Sequence, residues 1–157
     1  MWHRPTKTKK VSDTFKDHKA RGSVNPGVDY VVAIGTPVMA VADGIVIKTV
    51  NNTLGAGGRM VLIKHGKCKA DYLHLSKILI APGKEVKAGD VIGLSGASGK
   101  GKERGYGAHL HLSVRNGGKF LMAKGNLDFE DLMKKQETAE AAAAEVPPVA
   151  PPTSAVE

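Results

Sequence analysis

Two histidines one residue apart, His109 and His111 in His109-Leu110-His111-Leu112, are the feature of the 157-residue sequence best suited to chemistry. On a strand, alternate side chains share a face, so both imidazoles would point one way and both leucines the other. Imidazole is a metal ligand and a proton carrier near neutral pH, yet a His-x-His pair alone is also an ordinary surface-strand pattern. Asp29 follows a turn at Asn25-Pro26-Gly27, and a carboxylate with imidazoles suits zinc, whose catalytic sites keep three protein ligands and one open position. The plain alternative for Asp29 is a carboxylate bonded to turn amides. His74, in Tyr72-Leu73-His74-Leu75, reads as a strand residue sharing a face with Tyr72, with Leu73 and Leu75 opposite; its plain alternative is a half-buried ring satisfied by backbone.

The elements that must position these residues are short strands. Apolar alternations at residues 28–34, 37–41, 45–50, 60–65, 70–75, 85–92 and 109–115 are each bounded by Gly, Asn, Asp or Pro. Nineteen glycines and few aromatics predict an all-β, glycine-rich antiparallel sheet forming a partly open barrel or sandwich. An echo between Gly35-Thr36-Pro37-Val38 and Gly83-Lys84-Glu85-Val86 suggests two related β-units. Residues 126–136, with Asp128 as N-cap and Lys134-Lys135 at the end, predict one short C-terminal helix.

These readings divide the chain into a loose basic arm over residues 1–12, a folded domain over 13–136 and a disordered Ala/Glu/Pro-rich tail over 137–157. The last 22 residues hold four Glu and no Lys or Arg, which leaves 23 basic against 11 acidic residues, a formal +12, in the rest. A field of that sign attracts polyanions, and few aromatic rings are present to stack on bases, so nucleic acid is the weaker match. The single cysteine, Cys68, excludes an intrachain disulfide and a cysteine-based zinc cluster. No apolar run approaches a membrane span, and the basic N-terminus lacks the apolar stretch of a signal peptide.

Read together and in order, Gly27-x-Asp29, Gly35-Thr36-Pro37-Val38-x-Ala40-x-x-Asp43-Gly44, Val61-x-Ile63-x-His65-Gly66, Tyr72-x-His74-Leu75-Ser76, Gly83-x-x-Val86-x-x-Gly89 and His109-Leu110-His111 closely resemble the lysostaphin/LytM family of zinc endopeptidases. The resemblance implies hydrolysis of peptide bonds in bacterial peptidoglycan, with Zn²⁺ as cofactor. It implies Asp29 and His111 as metal ligands, and His74 and His109 as the catalytic imidazoles beside the water that the ion activates. His65 and Tyr72 fall at positions expected to be structural.

One position departs from the family pattern His-x-Gly-x-Asp: the first residue is Asn25, and an amide oxygen is a weak zinc ligand. Asn25 could still coordinate, His18 could supply the ring, or the site could be degenerate, leaving a non-enzymatic module that binds peptidoglycan or activates another wall enzyme. The preference goes to His18, because Phe15-Lys16-Asp17-His18 falls where the family has a Phe-Gly segment beside the cleft. The glycine-rich segment 95–107 is expected to form a mobile wall of that cleft. A lipoyl-type carrier is disfavoured because the matching hairpin tip, Ala40 to Gly44, has no lysine. The basic surface suits anionic wall polymers. The sequence features together favour an enzyme that reaches the cell wall through lysis or with a phage particle.

Overall fold

The computed structural model describes residues 1–122 and 124–145. In chain order the elements are β1 (Val11–Asp13), α1 (Phe15–Ala20), β2 (Val28–Tyr30), β3 (Pro37–Met39), β4 (Gly44–Val50), β5 (Arg59–His65), β6 (Cys68–Leu75), β7 (Lys77–Ile78), β8 (Glu85–Val86), β9 (Val91–Leu94), β10 (Leu110–Asn116), β11 (Asn126–Leu127) and α2 (Phe129–Glu145). The larger sheet runs β1-β2-β10-β6-β5-β4-β8, with β11 also on β10; a smaller sheet runs β3-β9-β7. All the strand pairs are antiparallel, as the alternating pattern predicts. Gly35 and Gly83, which open the two echoed segments, share a left-handed backbone, with φ of 91° and 87°.

The core lies on one face of the larger sheet. Val28, Tyr30, Leu110, Leu112, Val114, Ala70, Tyr72, Val61 and Ile63 meet Val38 and Ile92 of the smaller sheet and Phe129 and Met133 of α2. Period-two alternation then sends Asp29, His111, Ser113, Asp71 and Arg115 to the opposite face.

Three stretches differ from the sequence-based expectation. Residues 1–12 are packed rather than loose: Trp2 meets Phe129 edge to face at 5.8 Å, His3 N–H donates to the Val41 carbonyl, and Met39 N–H donates to the Pro5 carbonyl. Arg4 pairs with Glu130 at 2.8 Å and Glu137 at 3.0 Å. A short apolar-polar arm gives no periodicity to read, and its side-chain partners on α2 lie more than a hundred residues away. The C-terminal helix begins at Phe129 and continues to Glu145, so residues 137–145 are helical, as Ala and Glu favour; the rest of the expected tail, 146–157, lies outside the described residues. Helix α1 lies where the apolar pattern of the sequence predicts no element. Its signal is Thr14-x-x-Asp17, a capping box in which the Thr14 hydroxyl accepts from Asp17 N–H and the Asp17 carboxylate accepts from Thr14 N–H.

Candidate metal centre and active site

The site begins with register. His111 on β10 stands directly opposite Asp29 on β2, and its ring Nδ1 lies 2.9 Å from Asp29 Oδ1. Helix α1 lies over this face and lowers His18 onto the same carboxylate, with Nε2 3.5 Å from Asp29 Oδ1 and 3.3 Å from Asp13 Oδ2. Asp13 is the β1 residue paired with Asp29, and Arg21 holds its carboxylate at the end of α1. Ligand atoms of His18, Asp29 and His111 all fall within 4.8 Å of one another.

The donor chemistry of these residues fits a cation. His18 Nδ1 lies 2.9 Å from the Thr14 carbonyl, an acceptor only, so Nδ1 carries the proton and Nε2 presents a bare lone pair. That lone pair faces two carboxylates, an arrangement that calls for a positive charge between them, either a proton or a metal ion. Burial opposes a proton on His18, but the bond to Asp29, the Thr14 carbonyl and the charges of Asp29 and Asp13 outweigh it and raise its pKa. Burial would likewise raise the Asp29 carboxyl; the facing rings of His111 and His18, with the charges of His111 and His109, hold it well below the usual range.

His109 lies at the mouth, its Nδ1 2.7 Å from the Gly107 carbonyl and its Nε2 3.9 Å from Asp29 Oδ1. The ring of His74 sits 4.7 Å from that of His109 and 6.2 Å from that of His111. How His74 arrives there differs from the expected alternation. Tyr72 points into the core, and Leu73, opposite His111, points into the cleft. His74 follows Leu73 onto the cleft side because β6 bulges against β5, where Arg59 pairs with Leu75 but Val61 with Tyr72. His74 takes a left-handed conformation, φ 62°, which costs a non-glycine residue roughly 1–2 kcal/mol. Its Nδ1 is pinned 2.9 Å from the Ser98 carbonyl, and burial, opposed only in part by that carbonyl, pushes its pKa down to about 4.

Asn25 borders the same cleft, but its amide is taken up by other partners. Its amide oxygen accepts from Arg115 Nη2 at 2.8 Å and Asn126 Nδ2 at 3.0 Å, while its amide nitrogen donates to Asp71 Oδ2 at 3.2 Å. Arg115 and Asp71 form a fully buried ion pair, and Asp71 also accepts from Leu121 N–H. Both ends of the Asn25 amide are thus committed to this network. Tyr72, paired with Leu112, lies on the core face rather than the cleft face, and its hydroxyl donates to His65 Nε2 at 2.9 Å and accepts from Val41 N–H.

The cleft over the trio encloses about 530 Å³ and is walled by Val24 and Leu121 on one side and by Gly55, Ala56, Gly57 and Met60 on the other. The segment 95–107 reaches it through Tyr106, whose ring lies 4.4 Å from that of His74 and whose hydroxyl donates to the Ala56 carbonyl. Sequence reasoning singled out neither Tyr106 nor Asp13, Asp71, Ser113 and Arg115. Of these, Ser113 and Arg115 carried a signal, because they continue the period-two face of His111.

Residues 23–122 match Peptidase family M23. The chain is 40% identical over 116 residues to peptidoglycan DD-endopeptidase ShyA of Vibrio cholerae, covering 73% of this chain and 26% of that protein. It is 37% identical over 92 residues to lysostaphin of Staphylococcus simulans, covering 58% of this chain and 18% of that protein. The chain therefore spans about a quarter of the length of the curated relatives it matches. Among solved structures, the catalytic domain of lysostaphin from Staphylococcus simulans aligns with a TM-score of 0.60 at 26% identity, over 85% of this chain and 90% of that one. A zinc-containing peptidase from Vibrio cholerae aligns with a TM-score of 0.61 at 32% identity, over 81% of this chain and 38% of that one. With the matched region covering most of the β scaffold and all four cleft residues Asp29, His74, His109 and His111, the chain belongs to peptidase family M23.

Proposed function

We propose that this chain is a zinc-dependent endopeptidase that hydrolyses peptide bonds in bacterial peptidoglycan. The convergence of His18, Asp29 and His111, with ligand atoms within 4.8 Å, carries the reading; similarity to the peptidoglycan DD-endopeptidase ShyA and to the glycyl-glycine endopeptidase ALE-1 of Staphylococcus capitis supports the substrate class. In this reading His18 replaces the imidazole missing at Asn25, and Asn25 serves the fold. Zinc held there would make a water acidic enough to ionise near pH 7 and would place positive charge beside the scissile carbonyl.

The remaining work falls to residues of the chain. Ser98 and Gly107 each accept from an Nδ1–H, which leaves the Nε2 atoms of His74 and His109 free to exchange a proton. His74 Nε2 takes the proton from the attacking water as the oxygen–carbon bond forms. The proton that His74 has taken is then returned, by way of the adjoining His109 at the mouth, to the departing amide nitrogen as the carbon–nitrogen bond breaks, so both rings end as they began. Tyr106 packs on His74 and keeps water from one side of it. The apolar walls suit a peptide with small side chains.

A non-catalytic wall-binding role drew its support from Asn25. His18 refills that place, and two further imidazoles with pinned orientations are more than binding requires. The test is zinc content by mass spectrometry together with muropeptide release. One zinc per chain, with release abolished by chelator and restored by zinc, is expected; release that persists without metal would overturn the reading. The basic surface is further proposed to draw the protein to anionic wall polymers, so wall binding should weaken from low to high salt.

A further inference from the structure

Ser113 lies two residues after His111 on β10, on the same face, and is fully buried. Its hydroxyl is 2.7 Å from His111 Nε2 and 3.4 Å from the backbone carbonyl of Asn25. The carbonyl can only accept, so the hydroxyl proton directed at it leaves the Ser113 oxygen free to accept from the ring. The resulting relay runs from His111 Nε2–H to Ser113 Oγ and from Ser113 O–H to Asn25 C=O. Asn25 is itself clamped by Arg115, Asp71 and Asn126, so the end of the relay is fixed by the buried ion pair.

Backbone packing independently marks the same pair. A Cβ on Gly27 would come within 2.8 Å of both His111 Nε2 and Ser113 Oγ, and 2.3 Å from the Leu112 carbonyl. The turn after Asn25 therefore lies directly on the His111–Ser113 contact and needs glycine there to do so. The ring is covered on its Nε2 side and open on its Nδ1 side, toward Asp29.

We propose that Ser113 is a positioning residue that holds His111 with its proton on Nε2 and its Nδ1 lone pair turned to the metal site. The role rests on the zinc reading above and extends it to a residue that touches neither substrate nor ion. Partners of this kind fix the orientation of a ligating imidazole, and their loss typically costs 10–100-fold in metal affinity.

The experiment compares wild type, Ser113→Ala and Ser113→Thr by zinc competition against a chromophoric chelator and by proton NMR of the histidine ring N–H groups in the zinc-loaded protein. Wild type and Ser113→Thr are expected to show a slowly exchanging His111 Nε2–H, with similar affinities. Ser113→Ala is expected to lose that proton signal and to bind zinc at least about tenfold more weakly, with an unchanged circular dichroism spectrum. Should Ser113→Ala not fold, wild type decides the matter, because a His111 that coordinates through Nε2 overturns the proposal. Equal affinity and an equal N–H signal in Ser113→Ala overturn the role of Ser113 alone. A wild type that binds no zinc overturns the metal site itself and this role with it.

Discussion

Asp29 and His111 are cross-strand partners in the β2–β10 ladder, and the distance between Asp29 Oδ1 and His111 Nδ1 is 2.9 Å. Two of the three atoms proposed to hold the ion are thus fixed by sheet register. The third arrives on α1, outside the ladder.

That division predicts how zinc responds to substitution. His18→Ala should reduce zinc affinity by more than the roughly hundredfold that losing an outer partner costs. Asn25→Ala should keep zinc at near wild-type stoichiometry while destabilising the fold by about 1–3 kcal/mol, because it leaves buried Arg115 and Asp71 groups unmatched. Chelator competition and urea denaturation measure the two quantities separately. Zinc loss in Asn25→Ala with retention in His18→Ala would reverse the assignment.

The buried pair beneath Asn25 should be among the costliest sites to break. Asp71→Asn or Arg115→Met leaves one charge without its partner at zero exposure, for an expected loss of about 3–5 kcal/mol in denaturant unfolding. A loss below 1 kcal/mol would mean that the pair is solvated in solution.

At His74, catalysis and backbone comfort should pull apart. His74→Gly and His74→Ala both remove the imidazole and should both abolish muropeptide release. Only glycine relieves the left-handed conformation, so His74→Gly should be more stable than His74→Ala by about 1 kcal/mol. Equal thermal midpoints for the two variants would show that the bulge relaxes without a glycine.

His65 gives a pH dependence away from the cleft. Burial lowers its pKa despite the opposing Asp43 and Ala42 carbonyls, so in acid the unfolded chain takes up a proton that the folded chain resists. The folded-state pKa lies below the unfolded value of about 6.5, so this contribution to stability is complete above 6.5 and is lost as the pH falls below it. His65→Gln, which cannot titrate, should show a flatter stability profile below pH 6.5 than wild type. Parallel profiles would place the sensitivity elsewhere.

Much of this was legible in the chain itself. The strands announced themselves because a half-buried antiparallel sheet needs alternation and glycine-bounded turns, and the order of short motifs around Asp29, His74, His109 and His111 tied them to a family. What escaped notice depends on irregularity or distance. The bulge at His74 puts Leu73 and His74 on one side, which a period-two reading cannot do. Asn25 could be seen as a departure, but its role appears only with Arg115 and Asp71, ninety and forty-six residues away. The Thr14-x-x-Asp17 capping box is legible in the chain, but six residues of helix carry no amphipathic pattern to set beside it.

The clasp between the first residues and α2 has a practical corollary. Trp2 packs against the core side of the larger sheet, and Met1 is 93% exposed beside it. A fluorophore or affinity handle fused at Met1 would emerge on the side away from the cleft, leaving a wall fragment free to dock while the label reports on it.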